Sequence, residues 1–386
     1  MLTQAQQKFI ALKKNGIHVA LFEGRWYGEK SKAGGVVFEL GAKKTLNEAE
    51  AMSLSVCGFI TYEGAENFNE IKKVHEFKEE PCKPIAEELN TSNVYRSNVS
   101  FEQYAEKIAE IKNLLLAGET YQVNYSIPFT SKANKSDPFE LYRRLARINP
   151  SPYMCYIDTD DGALISNSPE CLMYLYHDGK IETRPIKGSA QRGESQQKDA
   201  ENEAALLTSE KNKAELAMIV DLERNDLGKV CTPASVRVRT GTNVPGDFRQ
   251  IEKYSHIMHT VATVSGILEK EKTWRDALCA LFPGGSVTGC PKTRTIEIIK
   301  KLEDGARGIY CGSAGFVIQP KATNKSASNN ENTPISSFNI LIRSLWYDKK
   351  SQAVTFRSGG GIVADSEAKE EYNELIQKAA AINSIL

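Results

Sequence analysis

Short apolar runs broken by polar residues mark the first hundred positions. Residues 18–22, 35–40 and 56–62 read as strands, and the charged, proline-bearing stretch 76–91 reads as a connection. Helical spacing then begins. Ser100 and Gln103 have capping-box spacing, and Phe101, Tyr104, Ile108, Ile111, Leu114 and Leu115 recur on one face. Gly118 is the expected stop. A strand follows at 120–127, in which Gln122 and Asn124 share one face, the polar side of that strand on pattern alone.

Between residues 166 and 193 the pattern predicts a β-hairpin. Residues 171–176 and 181–186 are rich in strand formers, and Asp178-Gly179 lies between them, a pair favoured in two-residue turns. Pairing His177 with Lys180 across that turn sets Glu170 opposite Lys187. Directly opposed residues share a face with Cβ atoms about 5 Å apart. The acid and the amine then form either a surface ion pair of little worth or the chemistry-bearing end of a ribbon. Pro169 and Pro185 warn of a bulge or an edge there.

Farther on, residues 211–226 read as a helix that is apolar on every side from Leu216 to Val220, so it should be largely buried. Glu215 begins that run. It needs a basic side chain or a metal if buried, and nothing if it sits on an exposed first turn. Two glycine-rich stretches, 282–292 and 357–361, read as loops whose backbone N–H groups could approach an anion. Residues 321–337 are polar and low in complexity, and read as a disordered excursion between strands. A final helix is expected over 367–385, with Tyr372, Leu375, Ile376, Ala379 and Ile382 as its apolar stripe. Glu371, Glu374 and Lys378 edge that stripe. Glu374 and Lys378 make an ordinary ion pair if solvated. Two carboxylates aimed at a cleft would instead join Glu215 in an oxygen-rich site suited to magnesium.

Composition narrows the picture. The chain has 386 residues, 41% hydrophobic and 25% charged, with 49 basic and 49 acidic side chains. A net charge of zero argues against an electrostatic nucleic-acid binder but not against a basic pocket for a small anion. Eight scattered cysteines lack any Cys-x-x-Cys spacing, so neither zinc nor a disulfide framework is indicated. The first residues lack the features of an export signal, and no apolar run is long enough to span a membrane; a cytoplasmic location is the expectation.

Eight ordered blocks then carry a resemblance. They are residues 118–124, 168–170, 183–188, 218–228, 284–292, 310–312, 342–345 and 359–367. Together the chain resembles the chorismate-utilising enzymes over residues 99–386. The resemblance implies an α+β fold of large, mostly antiparallel sheets packed as a sandwich, with helices outside and the active site in a cleft. It also implies a short β-rich region over 1–98 ahead of a chorismate-binding catalytic domain over 99–386.

Two positions choose among family members. Gln122 stands where water-using relatives carry an activating lysine, so ammonia is the implied nucleophile. Lys187 stands where anthranilate synthases usually have alanine and aminodeoxychorismate synthases have the lysine proposed to attack the ring. The resemblance is thus to component I of aminodeoxychorismate synthase, with Glu170 as general acid, Lys187 as covalent nucleophile and 4-amino-4-deoxychorismate as product. It implies Mg²⁺ held by Glu215 and Glu374, with Glu371 in support. Arg343, Tyr310, Gly359, Gly360, Gly361 and Lys378 are implied to bind substrate, and Ser286, His259, Gly188 and Ser189 to line the remaining wall. Tyr310 and His259 have a second reading as packed core residues.

Asn212, where an acid is common, Ser189 for threonine and Ala262 for serine depart from the family pattern. Residues 21–24 only faintly echo the stretch that binds tryptophan in larger relatives. No glutaminase nucleophile is visible, so ammonia from a separate glutamine amidotransferase subunit is expected. The rival readings are anthranilate synthase component I, a catalytically silent chorismate-binding paralogue, and an enzyme with added lyase activity.

Overall fold

A computed structural model gives the structure. It describes residues 2–27, 34–78, 97–132, 136–241, 247–254, 257–320 and 333–386. Two compact units divide the chain. The first holds residues 1–169, 287–315 and 339–386, and the second holds 170–286 and 316–338.

The first unit is built on one antiparallel sheet. Its strands run in the order Val56–Ile60, Glu66–Phe77, Gly34–Lys44, Val19–Gly24, Tyr153–Asp158, Gly162–Ser168, Ser344–Asp348, Ala353–Ile362, Gln122–Lys132 and Gly289–Cys290. Helices Gln4–Lys14, Phe101–Leu116, Pro138–Ile148, Lys292–Leu302 and Ala368–Asn383 cover one face. Phe9, Tyr104, Ile108, Phe129, Leu141, Tyr156, Phe356, Leu375 and Ile382 make the core between them, each below a tenth exposed. Burial on that scale supplies the main stabilising term, roughly 1.5–3 kcal/mol per large apolar side chain.

The predicted helix over 101–116 has its capping box: Ser100 Oγ accepts from Gln103 N at 3.3 Å, and Gln103 Oε1 accepts from Ser100 N at 2.9 Å. Gly118 follows with φ of +74°, the left-handed turn that glycine adopts without strain. The expected boundary near residue 98 does not coincide with the division into units. The strand Val19–Gly24 pairs with Tyr153–Asp158, which ties the N-terminal strands into the same sheet as the rest of that unit. The strand Glu66–Phe77 has no counterpart in the sequence reading. Its side chains are mostly polar and only Phe68 is buried, so its pattern lacks a clean apolar face. Its last two residues fall in the charged stretch 76–91 expected as a connection, of which 79–91 lies outside the described residues.

The second unit contains the hairpin Cys171–Leu175 and Lys180–Arg184, continued by Val264–Ile267 and Arg237–Val238. A second small sheet orders Ile186–Gln191, Ile257–Val261 and Gln250–Lys253. Helices Gln196–Thr208, Glu210–Gly228 and Trp274–Leu281 belong here. The hairpin forms, but its turn and register differ from expectation. Gly179 N donates to Tyr176 O at 3.0 Å, so the loop has three residues rather than two, and only Gly179 has positive φ, +80°. Tyr174 then pairs with Glu182, and a further irregularity sets Cys171 against Arg184. The ladder therefore does not extend to oppose Glu170 and Lys187, and strand Ile186–Gln191 leaves for the other sheet instead. Of the low-complexity stretch 321–337, residues 321–332 lie outside the described residues, and Ile335–Asn339 is a strand. Among the described residues no helix is long and apolar enough to cross a membrane.

Candidate active site

In the second unit a β-bulge aims the lysine. Ile186 pairs with Val261 and Ser189 with His259, so Lys187 and Gly188 together face Thr260. Gly188 has φ of +88°, and a Cβ there would lie 2.8 Å from Asn212 Nδ2. The positive φ is what demands glycine, since the Asn212 amide is the end of a side chain that can shift. The bulge frees Lys187 from the ladder's strict alternation. Its Nζ lies 4.0 Å from Glu215 Oε2, with the two side chains 15% and 16% exposed.

Glu215 stands one turn into the helix Glu210–Gly228, where Leu216, Ile219 and Val220 are buried and Ala217 and Met218 half-buried. Lys187 is a cation within reach of it. Glu170, buried, accepts from Ile186 N at 3.3 Å through Oε1. Glu170 thus meets the backbone at Ile186, the residue before Lys187, in place of the expected cross-strand pairing. Buried His259 bonds Ser189 Oγ through Nδ1 at 2.7 Å. Ser286 sits in the short turn Gly285–Val287 with its hydroxyl buried and unpartnered.

The first unit holds the other residues. The glycines 359–361, expected as a loop, are strand: the ladder with Gln122–Lys132 continues through them, Gly359 against Ser126 and Gly361 against Asn124. A Cβ on Gly359 would lie 2.3 Å from Tyr125 O, which is why the strands close only over glycine. Gly360 faces the last helix, where a Cβ would lie 3.5 Å from Glu371 Oε2 and 3.6 Å from Lys378 Nζ. Lys378 Nζ donates to Gly359 O at 3.2 Å and pairs with Glu374 at 2.6 Å. Ser366 Oγ donates to Glu371 Oε1 at 2.7 Å. Gln122 is fully buried, with both side-chain polar atoms unpartnered.

Arg343 takes φ of +51°, a left-handed conformation that costs a non-glycine residue energy and concentrates at functional sites. Tyr310 is buried, and burial pushes its phenol well above the usual range, so it stays a hydrogen-bond donor. Of the implied metal ligands, Glu371 and Glu374 share one helix edge of the first unit, and Glu215 belongs to the second. All three offer carboxylate oxygens, the donor set that Mg²⁺ takes.

Sequence reasoning missed a buried ion cluster in the first unit. Glu303 Oε1 accepts from Ser126 N and Oγ, both at 2.9 Å, and from Arg307 Nη2 at 2.7 Å. Its Oε2 accepts from Arg307 Nε at 3.0 Å and Arg357 Nη2 at 2.9 Å. Arg307 also donates to Val287 O at 2.9 Å and Asn124 O at 2.6 Å, and its guanidinium lies 4.6 Å from the Tyr62 ring and 5.7 Å from that of Tyr310. Burial alone would push the Arg307 pKa down; the Glu303 charge overrides it and holds the value above the ordinary one. The cluster braces the strand of Gln122, the strand of Gly359 and the turn of Tyr310. Glu303 and Arg307 stand four residues apart, a spacing the sequence does offer, but Arg357 lies far from both and nothing local marks the pair as buried.

Antiparallel sheet, covering helices and an acid–amine corner define an α+β protein with the furniture of an enzyme. Residues 48–384 match the chorismate binding enzyme family, and the chain belongs to it. It is 39% identical over 297 residues to "Aminodeoxychorismate synthase component 1" of Bacillus subtilis (strain 168), covering 77% of this chain and 58% of that protein. It is 38% identical over 323 residues to "Anthranilate synthase component 1" of Aquifex aeolicus (strain VF5), covering 83% of this chain and 60% of that protein. The chain therefore spans well under two thirds of these relatives' length. Anthranilate synthase component I from Streptococcus pneumoniae TIGR4 superposes with TM-score 0.68 at 26% identity, over 85% of this chain and 80% of that one. The menaquinone-specific isochorismate synthase from Escherichia coli superposes with TM-score 0.75 at 16% identity, over 96% and 89%, a likeness of fold alone.

Proposed function

We propose that this chain aminates chorismate at C4 with ammonia to give 4-amino-4-deoxychorismate. The observation that carries the reading is Lys187, bulged out of its strand beside Glu215, next to the residue whose N–H holds Glu170. Its relatives are named for two aminations at nearly equal identity, so overall similarity does not choose between them. The reading takes the Lys187 amine as the nucleophile. It attacks C2 of the ring while Glu170 protonates the departing C4 hydroxyl, which leaves as water. Ammonia then bonds to C4 and the lysine departs from C2, regenerating the enzyme.

Protonation is the obstacle at rest. The chemistry needs Lys187 as the free amine and Glu170 as the protonated acid, the opposite of an ion-paired resting state. One proton moved from Lys187 to Glu170 corrects both groups. Exclusion of water by bound substrate weakens the charged forms and drives that transfer.

Arg343, Tyr310, Lys378 and the amides of Gly359, Gly360 and Gly361 would orient the substrate's carboxylates, and Gly188, Ser189, His259 and Ser286 would line the wall. Glu215 and Glu374, with Glu371 in support, would hold Mg²⁺, which when bound supplies neutralising charge for a ring carboxylate. Ammonia would come from a separate amidotransferase subunit. In support, the relatives are named as a component 1, which implies a second component for those proteins.

The second reading, amination at C2 with loss of pyruvate as in anthranilate synthase, gives a fluorescent aromatic amine. Lys187→Ala tests the choice. It should abolish aminodeoxychorismate formation while chorismate binding persists, and near-normal turnover in that variant would defeat the nucleophile assignment.

A further inference from the structure

The mechanism needs a seat for ammonia, and the strand Gln122–Lys132 carries an unassigned group beside Gln122. Asn124 is two residues on, so it shares the face of Gln122. Its side chain is 5% exposed, and its Oδ1 is buried without a partner, as are Oε1 and Nε2 of Gln122. Buried polar atoms are otherwise almost always satisfied. The backbone around Asn124 is fully used. Its N–H donates to Thr288 O at 2.7 Å, and its carbonyl accepts from Arg307 at 2.6 Å. The residue directly opposite, on the same face, is Gly361, which contributes no side chain. Two amide oxygens are thus held about 7 Å apart at their roots on one strand, both buried without a hydrogen-bond partner.

We propose that Asn124 and Gln122 together seat the ammonia nucleophile, each accepting one of its N–H bonds. This rests on the amination proposed above and names the residues that select its nitrogen source. An amide oxygen accepts hydrogen bonds but does not remove a proton near neutral pH, so water held there stays unactivated. Ammonia needs no base, because its lone pair is available. As the nitrogen bonds to C4 it gains positive charge, and its N–H bonds to the two oxygens strengthen in the transition state. The bond from C2 to the lysine nitrogen breaks as the bond to C4 forms, and the departing amine takes the surplus proton.

The test is steady-state kinetics with ammonium chloride as nitrogen source, alongside calorimetric chorismate binding, for the unaltered protein, Asn124→Val and Asn124→Ser. Valine is of similar size and favours strand, but it has no acceptor. Its KM for ammonium should rise about tenfold, with the chorismate KM within about twofold. Serine restores an acceptor and should recover part of the loss; it also carries the test if the valine variant fails to fold. An unchanged ammonium KM, or an equal rise for chorismate, overturns the assignment of Asn124 while leaving the amination intact. Absence of any aminated product from the unaltered protein overturns the amination and the ammonia seat together.

Discussion

Replacing Glu303 by alanine is the most exposing perturbation of the scaffold. Its carboxylate neutralises two guanidinium groups, Arg307 and Arg357, in a cluster where the three side chains are 1%, 2% and 6% exposed. It also accepts from the backbone N–H and hydroxyl of Ser126. Alanine leaves both cations buried without their anion and strands the Ser126 donors. Breaking a buried pair from one side costs about 3–5 kcal/mol. Urea unfolding followed by the fluorescence of Trp26 and Trp346, which lie in the same unit, should show the midpoint lowered by about 1 M or more with an unchanged slope. Because the cluster holds the strands of Gln122 and Gly359 and the turn of Tyr310, the chorismate KM should rise in the same variant under conditions where it is folded. A loss below about 1 kcal/mol would refute the reasoning, since the two arginines would then be satisfied without Glu303.

Two further perturbations have worked signs. Asp199 is held well below the usual carboxylate range, first by the Arg192 guanidinium, then by the Gly193 N–H and Lys253. A depressed folded pKa contributes stability that is complete above the unfolded value, about pH 4, and is lost as pH falls toward the folded one. Asp199→Asn should therefore flatten the acid limb of a stability–pH profile, and an unchanged limb contradicts this. Tyr104 is fully buried with its hydroxyl unpartnered, and burial raises its phenol pKa. Tyr104→Phe should leave stability unchanged or raise it by up to ~1 kcal/mol in thermal unfolding, because the removed hydroxyl gives nothing back for its desolvation.

What the sequence disclosed was local. The capping box of Ser100 and Gln103 and the apolar stripe of the last helix depend on contacts within a few residues, and they stand where the pattern puts them. The hairpin strands were equally readable, but the register was not. One extra loop residue at His177 and an irregularity near Cys171 changed every partner toward the open end. Glu170 instead accepts from the N–H of Ile186, the residue before Lys187, and a bulge follows at Lys187 and Gly188, where the positive φ of Gly188 is a tertiary feature. The glycines 359–361 looked like a loop because consecutive glycines usually are one; close strand approach at Tyr125 O is a tertiary cause that no local window contains. The Glu303 cluster was invisible for the same reason.

Mass spectrometry of the product formed from chorismate, ammonium and Mg²⁺ tests the central claim most directly. The account predicts a product in which the ring hydroxyl is exchanged for an amine and the enolpyruvyl group is retained. A fluorescent aromatic amine with release of pyruvate, or unreacted chorismate, would contradict it.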